Sequence, residues 1–383
     1  MTKRYIVVVI ILIIVIGLGA LLFTRTSFWR NLYNHDEPSN HQTTKPPEKN
    51  TIACIDSIPD DVKIGQKIMV AVYSNQLSSE TSELASADIG GIIVMDAVTP
   101  EQLNDFRTSL PITPIIAVDQ EGGTVQRYTA EGRLPGAEDM ASNFSTTQAY
   151  DKYLADSKYL KEIGITTNFS PVVDVISRSP NPLPGRLYSA DSNVVTSYAS
   201  AAIKAAKDAG ITPVIKHFPG LGSASGNTDY GSATTDSLAT LESRDLLPYQ
   251  QLASQHPDVM VANAIVPGLT DGQPAVWSAQ AVKLLRDIGY QQAVVYSDSL
   301  TAKAVPGTLA EAVVKAWQAG VDVALVVQKP EETPQLSAYL RDIVTNASGA
   351  LKSGALDSND FAKSIQRIFD RKGVDACKLS AEL

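Results

Sequence analysis

A repeated unit, in which a helical segment ends in glycine and a short apolar run follows, most constrains the fold of this 383-residue chain. The unit recurs in KYLKEIGITTNFSPVVDV, AIKAAKDAGITPVIKHF, LLRDIGYQQAVVYSD and VKAWQAGVDVALVV. Glycine after the last helical turn adopts the left-handed conformation without a Cβ penalty. The apolar runs are β-branched and continuous rather than alternating, which is typical of parallel strands covered on both faces.

Eight such strands can be assigned along the chain. They are KIMVAVY, GGIIVMD, PIIAVD, TTNFSPVVDV, TPVIKHF, VMVANAIV, AVVYSD and VALVV. Eight strand–helix units in roughly 330 residues predict an α/β fold, a closed TIM-type (β/α)8 barrel. An open doubly wound sheet is the alternative, but no Gly-x-Gly-x-x-Gly motif follows the first strand.

The N-terminal residues 1–24 predict a transmembrane anchor. The run from Tyr5 to Phe23 carries no charge, and Lys3 and Arg4 precede it. A helix of roughly 20 apolar residues spans a bilayer core of about 30 Å. Arg25 and Arg30 follow the run, so the distribution of positive charge does not decide its orientation, but only four residues precede it. We therefore expect a single-pass anchor with an extracytoplasmic C-terminal part. A cleaved signal peptide is the alternative.

Residues 25–52 predict a flexible linker, because the stretch HDEPSNHQTTKPPEKN is polar and contains proline. The predicted barrel domain then covers residues 53–383, with Cys54 near its start and Cys377 near its end. Outside the cytoplasm such a pair tends to oxidise. We expect an intramolecular disulfide Cys54–Cys377, with two independent thiols as the alternative.

Charge and composition narrow the classes of partner. The formal net charge is −9 and no basic stripe is present, which argues against a nucleic-acid partner. The sequence has no His/Cys cluster with metal-ligand spacing and no calcium-loop pattern. No metal and no organic cofactor are therefore implied.

Polar and ionisable residues end almost every predicted strand. They are Asp96, Asp119 with Glu121, Asp174, Lys216 with His217, Asn263 and Asp298. The reaction site of a (β/α)8 barrel lies at the C-terminal ends of its strands. The sequence therefore predicts a polar cavity at that face.

Four motifs carry a resemblance to a known family. IAVDQEGGTVQR (residues 116–127), NFSPVVDV (168–175), KHFPG (216–220) and VVYSDSL (294–300) resemble glycoside hydrolase family 3. The likeness covers about residues 55–372 and is similar to the single-domain, NagZ-type β-N-acetylhexosaminidase branch. It implies a retaining hydrolase that removes terminal β-linked N-acetylhexosamine from cell-wall or other glycans.

The resemblance also assigns residue roles. Asp298 matches the nucleophile, whose carboxylate attacks the anomeric carbon to form a glycosyl-enzyme ester; a helix N-cap is the alternative role for this residue. Asp119 matches the acceptor of hydrogen bonds from sugar hydroxyls, and Lys216 with His217 matches the pair that holds those hydroxyls.

Arg186 matches an arginine that family members place against the sugar, although Leu-Tyr-Ser follows it where the family usually has Ser-Phe-Gly. A salt bridge at the surface is the alternative for Arg186. Glu121 is expected to be structural, as are Asp174 and Gln120.

The match fails at the proton donor. The family's loop after KHFPG usually carries a histidine as general acid/base, but here Leu221 follows and no histidine occurs through Thr235. A carboxylate is the expected replacement, with Asp229 as the first candidate and Asp236 as the second. A turn role is the alternative for Asp229.

Three other interpretations remain open from sequence. Glu121 could supply the proton instead, or the barrel could bind glycan and hydrolyse it poorly. A β-glucosidase-type hydrolase is also compatible with the motifs. Asn263 occupies a position where the family commonly has histidine.

Overall fold

The computed structural model of the chain describes residues 48–129, 132–327 and 336–383. The predicted transmembrane anchor, residues 1–24, lies outside these ranges, as does the predicted linker up to residue 47. In the three described ranges, no helix has both the length and the apolar composition needed to cross a membrane.

Eight parallel strands form one sheet in the described part of the chain. They are β1 (Ile68–Val72), β2 (Gly91–Val94), β3 (Ile115–Val118), β4 (Thr167–Asn168), β5 (Thr212–Phe218), β6 (Asp258–Val261), β7 (Val295–Ser297) and β8 (Ala324–Val326). Their order is β7-β6-β5-β4-β3-β2-β1-β8. A parallel bridge between Tyr296 and Val323 joins the two ends of this sheet. The eight predicted strands and the TIM-type barrel are therefore confirmed.

Helices follow the strands and cover the outside of the sheet. They are α1 (Glu48–Asp56), α2 (Asp60–Gln66), α3 (Leu77–Ser86), α4 (Pro100–Ser109), α5 (Ala137–Asn143), α6 (Thr146–Glu162), α7 (Ser192–Asp208), α8 (Leu238–Glu242), α9 (Leu246–Leu252), α10 (Ala279–Asp287), α11 (Leu309–Gln318), α12 (Leu336–Ser353), α13 (Ser358–Lys372) and α14 (Ala376–Glu382). Short 3₁₀ turns lie at Ala253–Gln255 and Ala275–Trp277.

Glycines end four of the helices and let the chain turn into the strand that follows. Gly164, Gly210, Gly289 and Gly320 adopt φ values of 100°, 77°, 119° and 96° after α6, α7, α10 and α11. This left-handed region is open to glycine at little cost, and it lets the chain reverse towards the sheet. The strands that follow are almost wholly buried, as the continuous apolar runs indicate.

Strand β4 is shorter in the sheet than its sequence suggests. Only Thr167 and Asn168 pair as a strand, although the apolar run extends to Val175. Pro171 has no N–H to donate to a ladder. Pairing resumes further on, where the Val173 N–H donates to the Lys216 carbonyl at 2.7 Å. The end of β4 therefore stays beside β5.

Helix α1 begins at Glu48, inside the segment predicted to be a linker up to residue 52. Ile55 is fully buried and Ile52 packs against the core. These tertiary contacts stabilise a helix that the polar composition of residues 48–52 does not predict. A disulfide joins Cys54 of α1 to Cys377 of α14, with 4.8 Å between the Cα atoms. The predicted disulfide is confirmed, and it links the two ends of the barrel domain.

Buried ion pairs occupy the N-terminal ends of the strands. The carboxylate of Asp322, just before β8, forms ion pairs with Arg286 and Arg367. The N···O distances are 2.8 and 2.7 Å. Asp258, the first residue of β6, receives Arg371 at 2.5 Å. This end of a barrel is usually associated with stability, and the predicted site residues all lie at the opposite end.

Candidate active site

A cavity of about 530 Å³ opens at the C-terminal ends of the strands. Its volume lies within the range of pockets that enclose small organic ligands. The structure brings all six sequence-predicted site residues to its lining: Asp119, Arg186, Lys216, His217, Asp229 and Asp298. The predicted polar cavity is therefore present.

Four charged side chains that line this cavity are at most 19% exposed, and we call them the charged floor: Asp119, Glu121, Arg186 and Lys216. The Lys216 Nζ atom lies 2.6 Å from Asp119 Oδ1 and 2.6 Å from Glu121 Oε1. Arg186 donates from Nε and Nη2 to the two oxygens of Glu121, both at 2.8 Å. Such bidentate contacts fix both orientation and distance. The formal charges of the floor cancel.

Neighbouring charges in the floor favour the ionised forms of Glu121 and Lys216. Burial alone would raise the pKa of Glu121, but Lys216 and Arg186 outweigh burial and hold it well below its usual range. Burial acts to lower the pKa of Lys216, and the carboxylates of Asp119 and Glu121 raise it above its ordinary value. The floor therefore presents fixed charges that can bind hydroxyl groups through charge-assisted hydrogen bonds.

Glu121 and Arg186 form an ion pair with each other, and both line the cavity. The alternative role for Arg186 was a salt bridge at the surface. Its ion-pair partner is instead the buried Glu121 of the charged floor. Glu121, which we expected to be structural, lines the cavity directly. Its position two residues after Asp119, at the end of β3, is the sequence signal that could have identified it.

Arg127 is a cavity residue that sequence reasoning missed. Its Nη2 atom lies 3.7 Å from Asp119 Oδ2. The turn that follows β3 brings it there, because the Glu121 and Gly122 N–H groups both donate to the Val125 carbonyl, at 2.9 and 3.1 Å. Arg127 is the last residue of the motif IAVDQEGGTVQR, but the motif by itself assigned it no role.

His217 is oriented by Asp174, which is fully buried at the end of the run that follows β4. The His217 Nδ1 atom lies 2.7 Å from Asp174 Oδ2. Asp174 Oδ1 accepts the Leu221 N–H at 2.7 Å and the His217 N–H at 3.2 Å. With an ionised Asp174 the Nδ1 atom is the donor, which leaves Nε2 to contact a ligand. These contacts agree with the structural role expected of Asp174.

Asp298 follows β7 directly and is held by main-chain hydrogen bonds. Its N–H donates to the Val261 carbonyl of β6 at 2.9 Å, and its Oδ1 accepts the Ser299 N–H at 2.7 Å. The side chain is partly buried and lines the cavity. The next helix, α11, has Thr308 as its N-cap, so Asp298 does not have the alternative capping role.

Asn263 holds the residue after Asp298 in place. The Asn263 Nδ2 atom donates to the Ser299 carbonyl at 2.7 Å. Asn263 is buried, and it does not line the cavity. Its contact fixes the backbone beside the predicted nucleophile, a role that the sequence did not indicate.

The pKa of Asp298 is raised above its ordinary value. Burial is the main cause, and the negative charge of Asp229 adds to it. Nearby His217 and the hydrogen bond from the Ser299 N–H act in the opposite direction. Both Asp229 and Asp298 line the same cavity.

Asp229 lies on an exposed turn at the cavity rim. Main-chain hydrogen bonds join this turn to the segment after Asp298: the Ala304 N–H donates to the Thr228 carbonyl at 3.1 Å, and the Lys303 N–H donates to the Asp229 carbonyl at 3.4 Å. The Asp229 N–H donates to Asn227 Oδ1 at 2.9 Å, as its turn chemistry predicts.

Asp236, the second candidate for proton donor, lies elsewhere. Its Oδ2 atom receives Arg244 Nη2 at 3.0 Å, and Asp236 is not among the residues that line the cavity. The structure therefore places Asp229 at the site and leaves Asp236 outside it.

The barrel, the carboxylate of Asp298 and the charged floor define a class of protein, the (β/α)8 barrels with a polar site at the C-terminal ends of their strands. The comparison with known families identifies the member of that class. The model of the glycosyl hydrolase family 3 N-terminal domain matches residues 60–370. The chain belongs to glycosyl hydrolase family 3, as its motifs predict.

Named relatives agree with this assignment. The chain is 36% identical over 275 residues to beta-hexosaminidase LpqI of Mycobacterium tuberculosis, an alignment that covers 69% of each chain. A GH3-family glycosyl hydrolase from Mycobacterium smegmatis superposes with a TM-score of 0.75 at 32% identity, over 83% of this chain and 98% of that one. A family 3 beta-N-acetylglucosaminidase from Paenibacillus gives a TM-score of 0.76 at 25% identity, over 83% and 63% respectively.

Proposed function

We propose that this protein is a retaining glycoside hydrolase that removes terminal β-linked N-acetylhexosamine from glycans, with Asp298 as nucleophile. The observation that supports this most directly is the carboxylate of Asp298 at the end of β7, which lines a cavity with a charged floor. Relatives named beta-hexosaminidase support the choice of sugar.

In the first step the terminal sugar binds with its hydroxyls on Asp119, Lys216, Arg186 and His217. An ionised Asp298 attacks the anomeric carbon while the bond to the leaving-group oxygen breaks. That oxygen takes a proton from Asp229, and a glycosyl ester of Asp298 remains. Leaving-group protonation typically contributes about 10²–10⁴-fold to the rate.

In the second step Asp229, now ionised, takes a proton from water. The water oxygen attacks the anomeric carbon, and the Asp298 carboxylate leaves with the bonding electrons. Two displacements restore the original β configuration.

The experiment is hydrolysis of aryl N-acetyl-β-glucosaminides with leaving groups of graded acidity. Asp298→Asn should abolish release with every leaving group. Asp229→Asn should slow release most for poorly acidic leaving groups and least for very acidic ones, because only the former need a proton. Asp236→Asn is the matched control, a carboxylate of the same loop outside the cavity. An equal slowdown across all leaving groups would exclude Asp229 as proton donor.

A glycan-binding barrel with little catalysis is the second candidate, and it is favoured by the loop without histidine. Negligible release by both the wild type and Asp298→Asn, with sugar affinity retained, would support it. A panel of aryl glycosides also tests the β-glucosidase alternative, since preference for glucosides over N-acetylglucosaminides would change the substrate class.

We also infer that the protein is anchored in the membrane and acts outside the cytoplasm, on cell-wall glycan or its fragments. The uncharged run from Tyr5 to Phe23 supports the anchor. The disulfide Cys54–Cys377 supports an oxidising compartment. Cell fractionation with thiol alkylation tests both inferences. Recovery in the soluble cytoplasmic fraction with both cysteines alkylated would contradict them.

A further inference from the structure

We propose that Tyr230 forms a leaving-group subsite that stacks on a pyranose ring, so that the preferred leaving group is itself a sugar. This inference rests on the proposed hydrolase function and specifies its substrate class. It assigns a specificity role to a residue that lies beside Asp229 in the sequence and contacts the open side of the cavity.

The exposure of Tyr230 is the first observation. Its side chain is 77% exposed, and in the described ranges the only other large hydrophobic residue so exposed is the C-terminal Leu383. Every other tyrosine there is at least partly buried. An aromatic ring in water at the mouth of a polar cavity contributes nothing to the core. It does offer apolar area to a ligand.

The position of Tyr230 is the second observation. It lines the same cavity as Asp298 and follows Asp229, the residue placed to protonate the leaving group. The side chains of the charged floor are at most 19% exposed, whereas Tyr230 is 77% exposed. The floor therefore lies deeper in the cavity than Tyr230, and we place the terminal sugar on the floor. A group attached to the anomeric oxygen would therefore extend towards the rim, where Asp229 and Tyr230 lie.

The turn that carries Tyr230 is fixed at its base. The Tyr230 N–H donates to the Asn227 carbonyl at 3.1 Å, and the two residues before Tyr230 accept main-chain hydrogen bonds from Lys303 and Ala304. The ring is therefore presented from an anchored backbone rather than from a free loop. Little ordering of the main chain is needed when a ligand binds, which favours a binding role.

The chemistry of a pyranose suits this partner. Axial C–H groups give each sugar face a weakly positive apolar patch, and the face of an aromatic ring carries negative π density. Contacts between two aromatic rings contribute roughly 2- to 12-fold in affinity beyond area burial, and we take the same range for an aromatic ring on a pyranose face. The phenolic hydroxyl is not required for such a contact.

The test compares two substrates with the same N-acetylglucosaminyl group. One is a β-1,4-linked N-acetylglucosamine disaccharide, and the other is the glycosyl fluoride, whose leaving group is a single atom. We expect Tyr230→Ala to lower the ratio of kcat/KM for the disaccharide to that for the fluoride by about 3- to 10-fold. Tyr230→Phe should retain the wild-type ratio because it keeps the ring.

The outcomes separate this inference from the proposed function. If the wild type hydrolyses neither substrate, the proposed function fails. If the wild type hydrolyses both and Tyr230→Ala leaves the ratio at its wild-type value, the function stands and the subsite is overturned. A ratio that falls as much in Tyr230→Phe as in Tyr230→Ala would also overturn it, because the hydroxyl and not the ring would then be responsible.

Discussion

Replacing Glu121 by glutamine tests the charged floor, because this change keeps the shape of the side chain and removes its charge. In the structure Arg186 donates to both oxygens of Glu121, and Lys216 contacts one of them at 2.6 Å. Glutamine would place an NH₂ group opposite one of these donors. The formal charge of the floor would rise from zero to +1.

The magnitude follows from burial. The side chains of Glu121 and Lys216 are only 5% and 3% exposed. Removing one partner of a buried ion pair typically costs about 3–5 kcal/mol. Lys216 keeps its contact with Asp119, so we expect the lower end, about 3 kcal/mol of the free energy of unfolding. We also expect kcat/KM to fall at least 10-fold, because Arg186 and Lys216 lose the group that orients them.

Urea denaturation and aryl-glycoside kinetics measure the two effects. Asp287→Asn is the matched control, since Asp287 pairs with Lys283 on the surface and its side chain is 57% exposed. Its cost should stay below about 1 kcal/mol. If Glu121→Gln were as stable and as active as this control, the charged floor would not have the role that we assign to it.

The pH dependence of Glu121→Gln gives a further check. The lowered pKa of Glu121 in the folded state means that its ionised form stabilises the fold above the ordinary glutamate pKa of about 4.3. That stability is lost as the pH falls through the lower, folded-state value. The difference in stability between wild type and Glu121→Gln should therefore be full at neutral pH and shrink in strong acid. A constant difference would contradict this account.

Three further changes have distinct expected results. Asp229→Asn removes a charge that raises the pKa of Asp298. The acid limb of the kcat/KM–pH profile, measured with a very acidic leaving group, should therefore move to lower pH. An unmoved limb would count against the electrostatic effect of Asp229 on Asp298. Replacing Cys54 and Cys377 by serine opens a loop of 323 residues. Because the disulfide restricts the unfolded chain, its loss should lower the free energy of unfolding by up to roughly 6 kcal/mol. Unchanged stability would show that the disulfide does not constrain the unfolded chain. Burial lowers the pKa of Lys67 to about 7, so wild-type stability should rise between pH 7 and pH 10. Lys67→Met should reduce this rise but leave the part that comes from Lys372, whose pKa burial also lowers to about 7. Parallel curves for the two proteins would refute the assignment.

The barrel could be predicted from sequence because its signals are local. Continuous β-branched runs, and a glycine after four of the helices, indicate the order of strands and helices. The structure shows Gly164, Gly210, Gly289 and Gly320 in the expected left-handed conformation. The start of α1 could not be predicted, since the stretch from Glu48 to Ile52 is polar. Its helix depends on packing and on a disulfide to a residue 323 positions away.

The site was predictable in part for the same reason. Asp119, Lys216 and Asp298 lie where strands end, and a barrel brings strand ends together. The partners of Glu121 are 65 or more positions away along the chain, and no local pattern links them. The bond from Asn263 to the Ser299 carbonyl likewise appears only after folding.

The covalent step is tested most directly by mass spectrometry of the protein after incubation with a 5-fluoro N-acetylglucosaminyl fluoride, which slows the second displacement. Our account expects the mass of one sugar on the peptide that contains Asp298, and no label in Asp298→Asn. A label on another carboxylate, or steady turnover of aryl glycosides by Asp298→Asn, would contradict it.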